Sequence, residues 1–332
     1  MDRINGANWV DIGGGKRGWR QQNKAAGISG TEMTAAYYNG LQEELVGLIE
    51  AAGLTPNPAD WTQVKQAIDL LRANYITSLG LRSRLTADTN FYVSTAGSDV
   101  TGTGDAAKPW ATIQKGVDTL IAGWDFRGYT ATINVADGSF APFRVDKTLP
   151  NGALKISGNT LTPANCIITG AGDSITSVYN PIAVQGFKFI STAGSALRCF
   201  RGGQIELVGK VDFGACAVAH TNALDSGSRI ILSSDYAISG GAQNHLLAWY
   251  GGAEVSTSKA ITVTLSGAPA FSVFAYAENL CVVRGTGITW SGSATGVRYS
   301  AATGGVIDTG GGGANFFPGN SAGSVPNSFQ YR

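Results

Sequence analysis

A phrase returns along the second half of the chain at nearly constant distance. Residues 203–208 read GQIELV, residues 228–233 read SRIILS and residues 253–258 read AEVSTS. The first β-branched residue of the phrase falls at Ile205, Ile230, Val255, Val282 and Ile307, in steps of 25, 25, 27 and 25. A second column, Phe213, Ile238, Val263 and Trp290, steps by 25, 25 and 27. Both columns take a two-residue insertion in the same interval, which places it between Val263 and Val282. HTNALDSG (220–227) and HLLAWYGG (245–252) also align as H-x-x-A-x-x-x-G.

A fixed period constrains a fold more than any local propensity does. Short apolar runs with Gly and Ser corners at this period describe one coil of a β-solenoid. Each coil stacks on the next at about 4.8 Å, and every strand joins a parallel sheet along the axis. One coil cannot bury its own apolar face, but a stack can. Residues 132 to 310 leave room for roughly seven coils, a rod about 35 Å long. A sandwich of hairpins predicts no such period. The fold expected is mainly β: a right-handed parallel β-helix of about 25 residues per coil, preceded by a small α-helical region.

Composition agrees. Glycine is 46 of 332 residues, charged residues are 14% and apolar residues 43%, which suits a turn-rich, weakly charged β protein rather than a disordered one. Net charge is +1 without a basic run, so no nucleic acid is expected as a partner. No stretch is apolar and long enough to span a bilayer, and the opening residues lack the apolar core of a secretion signal. Cys166, Cys199, Cys216 and Cys281 are scattered and read as small buried apolar residues rather than zinc ligands or disulfides.

The chain divides into a region of 1–85, a β-helix of 91–310 and a Gly-rich segment of 311–332. Residues 1–33 read as an extended segment that needs a partner surface for order. Helices are expected over TEMTAAYYNGLQEELVGLIEAAG and WTQVKQAIDLLRANY, the second N-capped by Asp60. In it Trp61, Val64, Ile68, Leu71 and Tyr75 stand at gaps of 3, 4, 3 and 4, the spacing of a coiled-coil seam. Two readings stay open: a seam between chains, or a helix packed on its own domain. Residues 76–90 read as a linker, and a helix over 113–122 caps the first coil.

Three longer phrases carry a resemblance. FYVSTAGSDVTGTGDAAKPWATIQKGVD resembles the start of pectate-lyase-like parallel β-helix proteins, where a strand, a Gly/Asp loop and a capping helix precede the first coil. GTEMTAAYYNGLQEELVGLIEAAGLTPNPADWTQVKQAI is similar to the N-terminal module of bacteriophage and prophage tail fibres. SGSATGVRYSAATGGVIDTGGGGANFFPGNSAGS is similar to the C-terminal end of such fibres and tailspikes. The resemblance implies a homotrimeric virion component, assembled in the host cytoplasm. Its N-terminus would dock on a tail baseplate protein and its β-helix would face host polysaccharide or lipopolysaccharide.

Some tailspikes also cleave polysaccharide, so a depolymerase is the alternative. Glycoside hydrolysis needs two carboxyl groups about 5–10 Å apart. Taken column by column, no pair of acids one period apart appears: Glu206 aligns with Ile231 and Ser256, Asp235 with Lys210 and Ala260, Glu254 with Arg229 and Gln204. No catalytic residue and no cofactor is therefore assigned. His220 and His245 should stack in adjacent coils, but Ala270 follows them in the column, which leaves zinc without a third ligand. The glycan-binding candidates are Trp249, Tyr250 and Tyr276, with Leu224, Trp249 and Tyr276 read as one column.

Overall fold

The computed structural model describes residues 6–79, 82–326 and 330–332. Contacts divide the chain into two units, Met1–Arg82 and Ser83–Arg332.

In the first unit a short antiparallel pair, Val10–Asp11 with Arg17–Gly18, precedes two helices. Helix α1 (Ala35–Ala51) starts at Thr34, whose hydroxyl accepts the Tyr37 N–H, and stops at Gly53, which takes a left-handed φ of +78°. Helix α2 (Gln63–Ser78) packs on α1. Its start is set by Asp60, whose carboxylate accepts the Thr62 N–H at 2.9 Å, and by Gln63, which is buried and bonds back to Thr55 O and Asn57 N. Trp61 therefore lies in the turn before the helix, 94% exposed, rather than within a heptad. Ile49 of α1 and Ala67 of α2 are buried. Val64 and Leu71 are half-buried, while Ile68 and Tyr75 stand exposed. The expected seam is thus split between the α1 side and the open side of α2.

The second unit is a parallel β-solenoid of seven coils. Each coil crosses three sheets in turn. Sheet I has nine strands, from Thr89–Val93 and Thr130–Val135 through Gln204–Leu207, Arg229–Leu232 and Glu254–Thr257 to Val306–Asp308. Sheet II has seven, from Gly138–Phe140 through Lys188–Ser191, Asp212–Cys216, Tyr236–Ile238 and Ile261–Leu265 to Ile288–Ser291. Sheet III also has seven, from Phe143–Val145 through Ile175–Val178, Leu197–Phe200, Ala219–Leu224, Ala242–Trp249 and Ala270–Ala277 to Thr295–Ala301.

The repeat is a stack. Ile205, Ile230 and Val255 are direct neighbours in sheet I, all pointing into the core and at most 1% exposed. Beyond them the register corrects the sequence columns. Val283, not Val282, follows Val255, and Ile307 follows Val283. In sheet II, Leu265 rather than Val263 follows Ile238, and Val263 sits on Tyr236. Two extra residues lie in the turn after Thr257, earlier than expected, and two more in the turn after Leu265, inside the expected interval; in both places the backbone is outside the sheets and can lengthen without disturbing a ladder.

The start of the stack is covered by α3 (Ile113–Gly123), whose buried Ile113, Val117, Leu120 and Ile121 lie over the strands of the first coil. Asp99 places this helix: its carboxylate accepts the Ala111 and Thr112 N–H groups and the Thr112 hydroxyl, while the Thr112 oxygen caps Lys115 N. Part of the expected linker belongs to this end, since Ser83–Arg84 pairs with Trp124–Asp125 and Leu85 is buried. At the other end the Gly-rich segment bridges Val297 to Ser321, Ser300 to Ser324 and Ile307 to Tyr331. It seats Phe317 fully buried beside Phe274 and Trp290.

Candidate functional site

Every coil leaves sheet III through one corner, and that corner repeats a backbone device. Tyr179, Arg201, Asp225, Tyr250, Asn279 and Thr303 all have φ between +46° and +66°. A left-handed residue turns the chain sharply from sheet III into sheet I, and here ordinary side chains, not only glycines, occupy it. The corner aims those side chains outward in a row.

Beside this row runs the outer face of sheet III. The core-facing residues are small or aliphatic: Leu197 and Cys199, Thr221 and Ala223, Leu246 and Ala248. The alternate residues form an outward stripe in which Leu224 and Trp249 are register partners, with Phe200 in the coil before. Trp249 is half-buried, and its Nε1–H donates to Asn222 Oδ1 at 3.1 Å. Its ring lies 4.5 Å, centroid to centroid, from that of Tyr250, which is 54% exposed at the corner. Trp249 is therefore neither in the core nor free to swing, and it presents aromatic area whose entropy is already spent.

Tyr276 shares the face but not the column. Its register partner is Leu247, because the turns after Thr257 and Leu265 are both lengthened. It is half-buried and donates its hydroxyl to Glu278 Oε2 at 2.6 Å. Burial and the Glu278 carboxylate push its phenol up to about 12. The three aromatic candidates thus converge on one outward surface, with Tyr276 one coil away and diagonal to Trp249.

A second feature lies on the outer face of sheet II. The loop 158–165 overhangs it and closes a groove of about 450 Å³, with Leu161 and Pro163 as one wall and Ala237, Thr262 and Thr264 as floor. Two carboxylates line it, Asp212 and Asp235, together with Lys210. Asp212 Oδ2 accepts from Lys188 Nζ (3.0 Å) and from the Ser239 hydroxyl (2.9 Å), while Oδ1 is buried without a hydrogen-bond partner. Matching acids column by column misses this pair. Asp212 is the register partner of Ala237, so Asp235 sits two residues away, just before the next strand, and shares the face diagonally. The alignment of Asp235 also changes: its successor is Thr262, not Ala260.

The two histidines stack as expected, and they point into the core. Both are fully buried among Phe213, Phe271, Phe274 and Trp290. Phe274, not Ala270, follows them in the column. Their hydrogen bonds fix the tautomers. The Gly214 carbonyl can only accept, so His220 Nε2 carries a hydrogen and donates to it at 3.0 Å. His220 Nδ1 is then the acceptor for His245 Nδ1–H at 2.9 Å, and His245 Nε2 accepts the Tyr236 hydroxyl at 2.8 Å. Both imidazoles use both their nitrogens in this network with the rings neutral. Burial depresses both imidazoles, His220 to about 3, and raises the Tyr236 phenol. The network is structural.

The four cysteines are free and buried; burial lifts Cys166 and Cys216 to about 12 and Cys199 higher still. Among the described residues no three His, Cys, Asp or Glu side chains cluster to hold a metal. No family model, no curated protein and no solved structure matches the chain.

Proposed function

We propose that this chain is a tail-fibre or tailspike-like binding protein of a phage or phage-derived particle. Its N-terminal region docks on a tail baseplate protein, and its right-handed β-helix displays a glycan-binding face to host polysaccharide or lipopolysaccharide. The observation that carries the reading is the outward Trp249–Tyr250 pair, fixed by Asn222 on a stack of parallel strands. Aromatic faces held on a rigid scaffold give apolar contact to sugar rings with little entropy left to lose. The exposed Ile68 and Tyr75 on α2 support self-association into a homotrimer through that helix.

Titration of the full chain with purified capsule and lipopolysaccharide tests the binding. Trp249→Ala should weaken it at least about tenfold, in line with the loss of one buried aromatic anchor. Tyr250→Asn, which tolerates the left-handed φ, should weaken it without lowering the melting midpoint. Equal affinity for all three proteins would refute the assignment of this face.

The groove supports a second reading, a polysaccharide depolymerase with Asp212 and Asp235 as its carboxyl pair. Release of oligosaccharide from capsule that is lost in both Asp212→Asn and Asp235→Asn would establish it. Absence of release from capsule that the protein binds would leave binding alone.

A further inference from the structure

Three guanidinium groups converge on one phenyl ring. The Cζ atoms of Arg144, Arg198 and Arg201 lie 5.2, 5.3 and 5.7 Å from the centroid of Phe200. Register brings them there. Arg144 and Arg198 flank Thr176 on successive strands of sheet III, Phe200 is two residues beyond Arg198 on the same face, and Arg201 is the left-handed corner residue that follows. The ring offers each cation its negative face, but three like charges around one ring repel one another.

Two of them are compensated. Arg144 Nε pairs with Asp146 Oδ2 at 2.9 Å, and Arg198 Nη1 with Asp173 Oδ2 at 3.0 Å. Arg201 makes no ion pair among the described residues; its Nη1 donates to the Tyr179 hydroxyl at 3.2 Å. Arg198 Nε is buried with no hydrogen-bond partner. The cluster therefore carries three cations, two anions and spare donors, on a surface that also exposes the Tyr179 ring at 54%.

We propose that this patch binds the carboxylate of an acidic sugar residue. The inference rests on the glycan-binding reading above and adds the charge of the ligand. The ligand carboxylate takes the third position, on Arg201, as Asp146 and Asp173 do on its neighbours through one oxygen each. The sugar ring lies against Tyr179. Phe200 stands two coils before Trp249 in the outward stripe, about 10 Å away at the strand spacing of a sheet. One oligosaccharide can therefore reach both the arginine patch and the Trp249–Tyr250 pair.

Isothermal titration of the full chain with oligogalacturonate and with its methyl ester tests this, because the two differ chiefly in charge. The acid should bind at least tenfold more tightly, lose that advantage in high salt, and fall to the level of the ester in Arg201→Gln. The melting midpoint of that variant should be unchanged, since Arg201 holds no carboxylate. Equal binding of acid and ester that is weakened by Trp249→Ala overturns the patch and leaves the aromatic face standing. Arg201-dependent acid binding that Trp249→Ala does not alter keeps the patch and removes the aromatic face. No binding of either oligomer, or Arg201-dependent binding of a single-stranded oligonucleotide tighter than that of the acid, overturns the proposal.

Discussion

His220 Nδ1 lies 2.9 Å from His245 Nδ1, one coil apart inside the core, and only one ring can donate across that contact. The pair is stable because both rings stay neutral, so acid acts on it through the unfolded chain. There the histidines titrate near 6.5, whereas burial depresses both in the folded state, His220 to about 3. Below about pH 6.5 the unfolded chain binds the extra protons, so stability is full above that pH and falls as pH drops. Two such groups remove roughly 3 kcal/mol between pH 7.5 and 5.5. Urea unfolding followed across that range should show the loss, and a His220→Leu, His245→Leu double variant should show a flatter profile. A wild-type profile without slope would mean that the rings are not buried together.

The register itself predicts a contrast between two adjacent valines. Val283 follows Val255 in the core ladder and is fully buried, whereas Val282 points outward beside Glu254. Val283→Ala should cost about 2 kcal/mol, since it removes buried methyls and leaves a cavity. Val282→Ala should cost less than about 0.5 kcal/mol, as surface changes usually do. Denaturant midpoints of the two variants read the difference, and the reverse order would restore the evenly spaced column.

Gly104 marks a tight point of the loop that leads to α3. Its φ is +84°, and a Cβ there would run into the Trp110 ring. Trp110 is buried and stacked on Phe91, so the ring has no room to yield. Gly104→Ala should lower stability by about 2 kcal/mol or more, from backbone strain and overpacking together. Thermal unfolding of the variant checks this, and an unchanged midpoint would contradict the packing of this end.

A ladder of ion pairs crosses the outer face of sheet I. Glu254 takes Arg229 from the coil before at 2.7 Å and Arg284 from the coil after at 3.1 Å, and Arg284 also reaches Asp308 at 3.5 Å. Glu254→Gln should destabilise by about 1 kcal/mol at low salt, and by less at 1 M salt where exposed pairs are screened. Unfolding at the two ionic strengths measures it; a loss independent of salt would assign Glu254 a packing role instead.

The sequence made the solenoid readable because its middle coils keep a constant length. From Ile205 to Val255 each turn has the same number of residues, so column neighbours could be counted and His220 placed on His245. Counting failed where turns change length. Two lengthened turns moved Tyr276 from Trp249 to Leu247, and together with a one-residue shorter turn after Ala277 they moved Val282 off the core column. The arginine patch was not legible at all. It lies in the early coils, where Arg144 is 32 residues from Arg198's neighbour Thr176 and Thr176 only 22 from Arg198, so no period connects them. The Asp212–Asp235 pair is hidden for a different reason: a shared face includes diagonal neighbours, which are not one period apart in the sequence. Spacing alone puts Trp61 in α2, but the hydrogen bonds of Asp60 and Gln63 hold the turn before it.

The stacking of successive coils is tested most directly by paired cysteines. Glu206 and Ile231 face outward as register partners on neighbouring strands of sheet I. Their Cα atoms are about 4.8 Å apart, within disulfide reach. Glu206→Cys with Ile231→Cys should oxidise to completion in the native state, while Glu206→Cys with Ser233→Cys, two residues out of register, should oxidise far less. Native Cys166, Cys199, Cys216 and Cys281 are buried and should stay reduced. Equal crosslinking of both pairs, or preference for the shifted one, would contradict a stack in which residues 25 apart are neighbours.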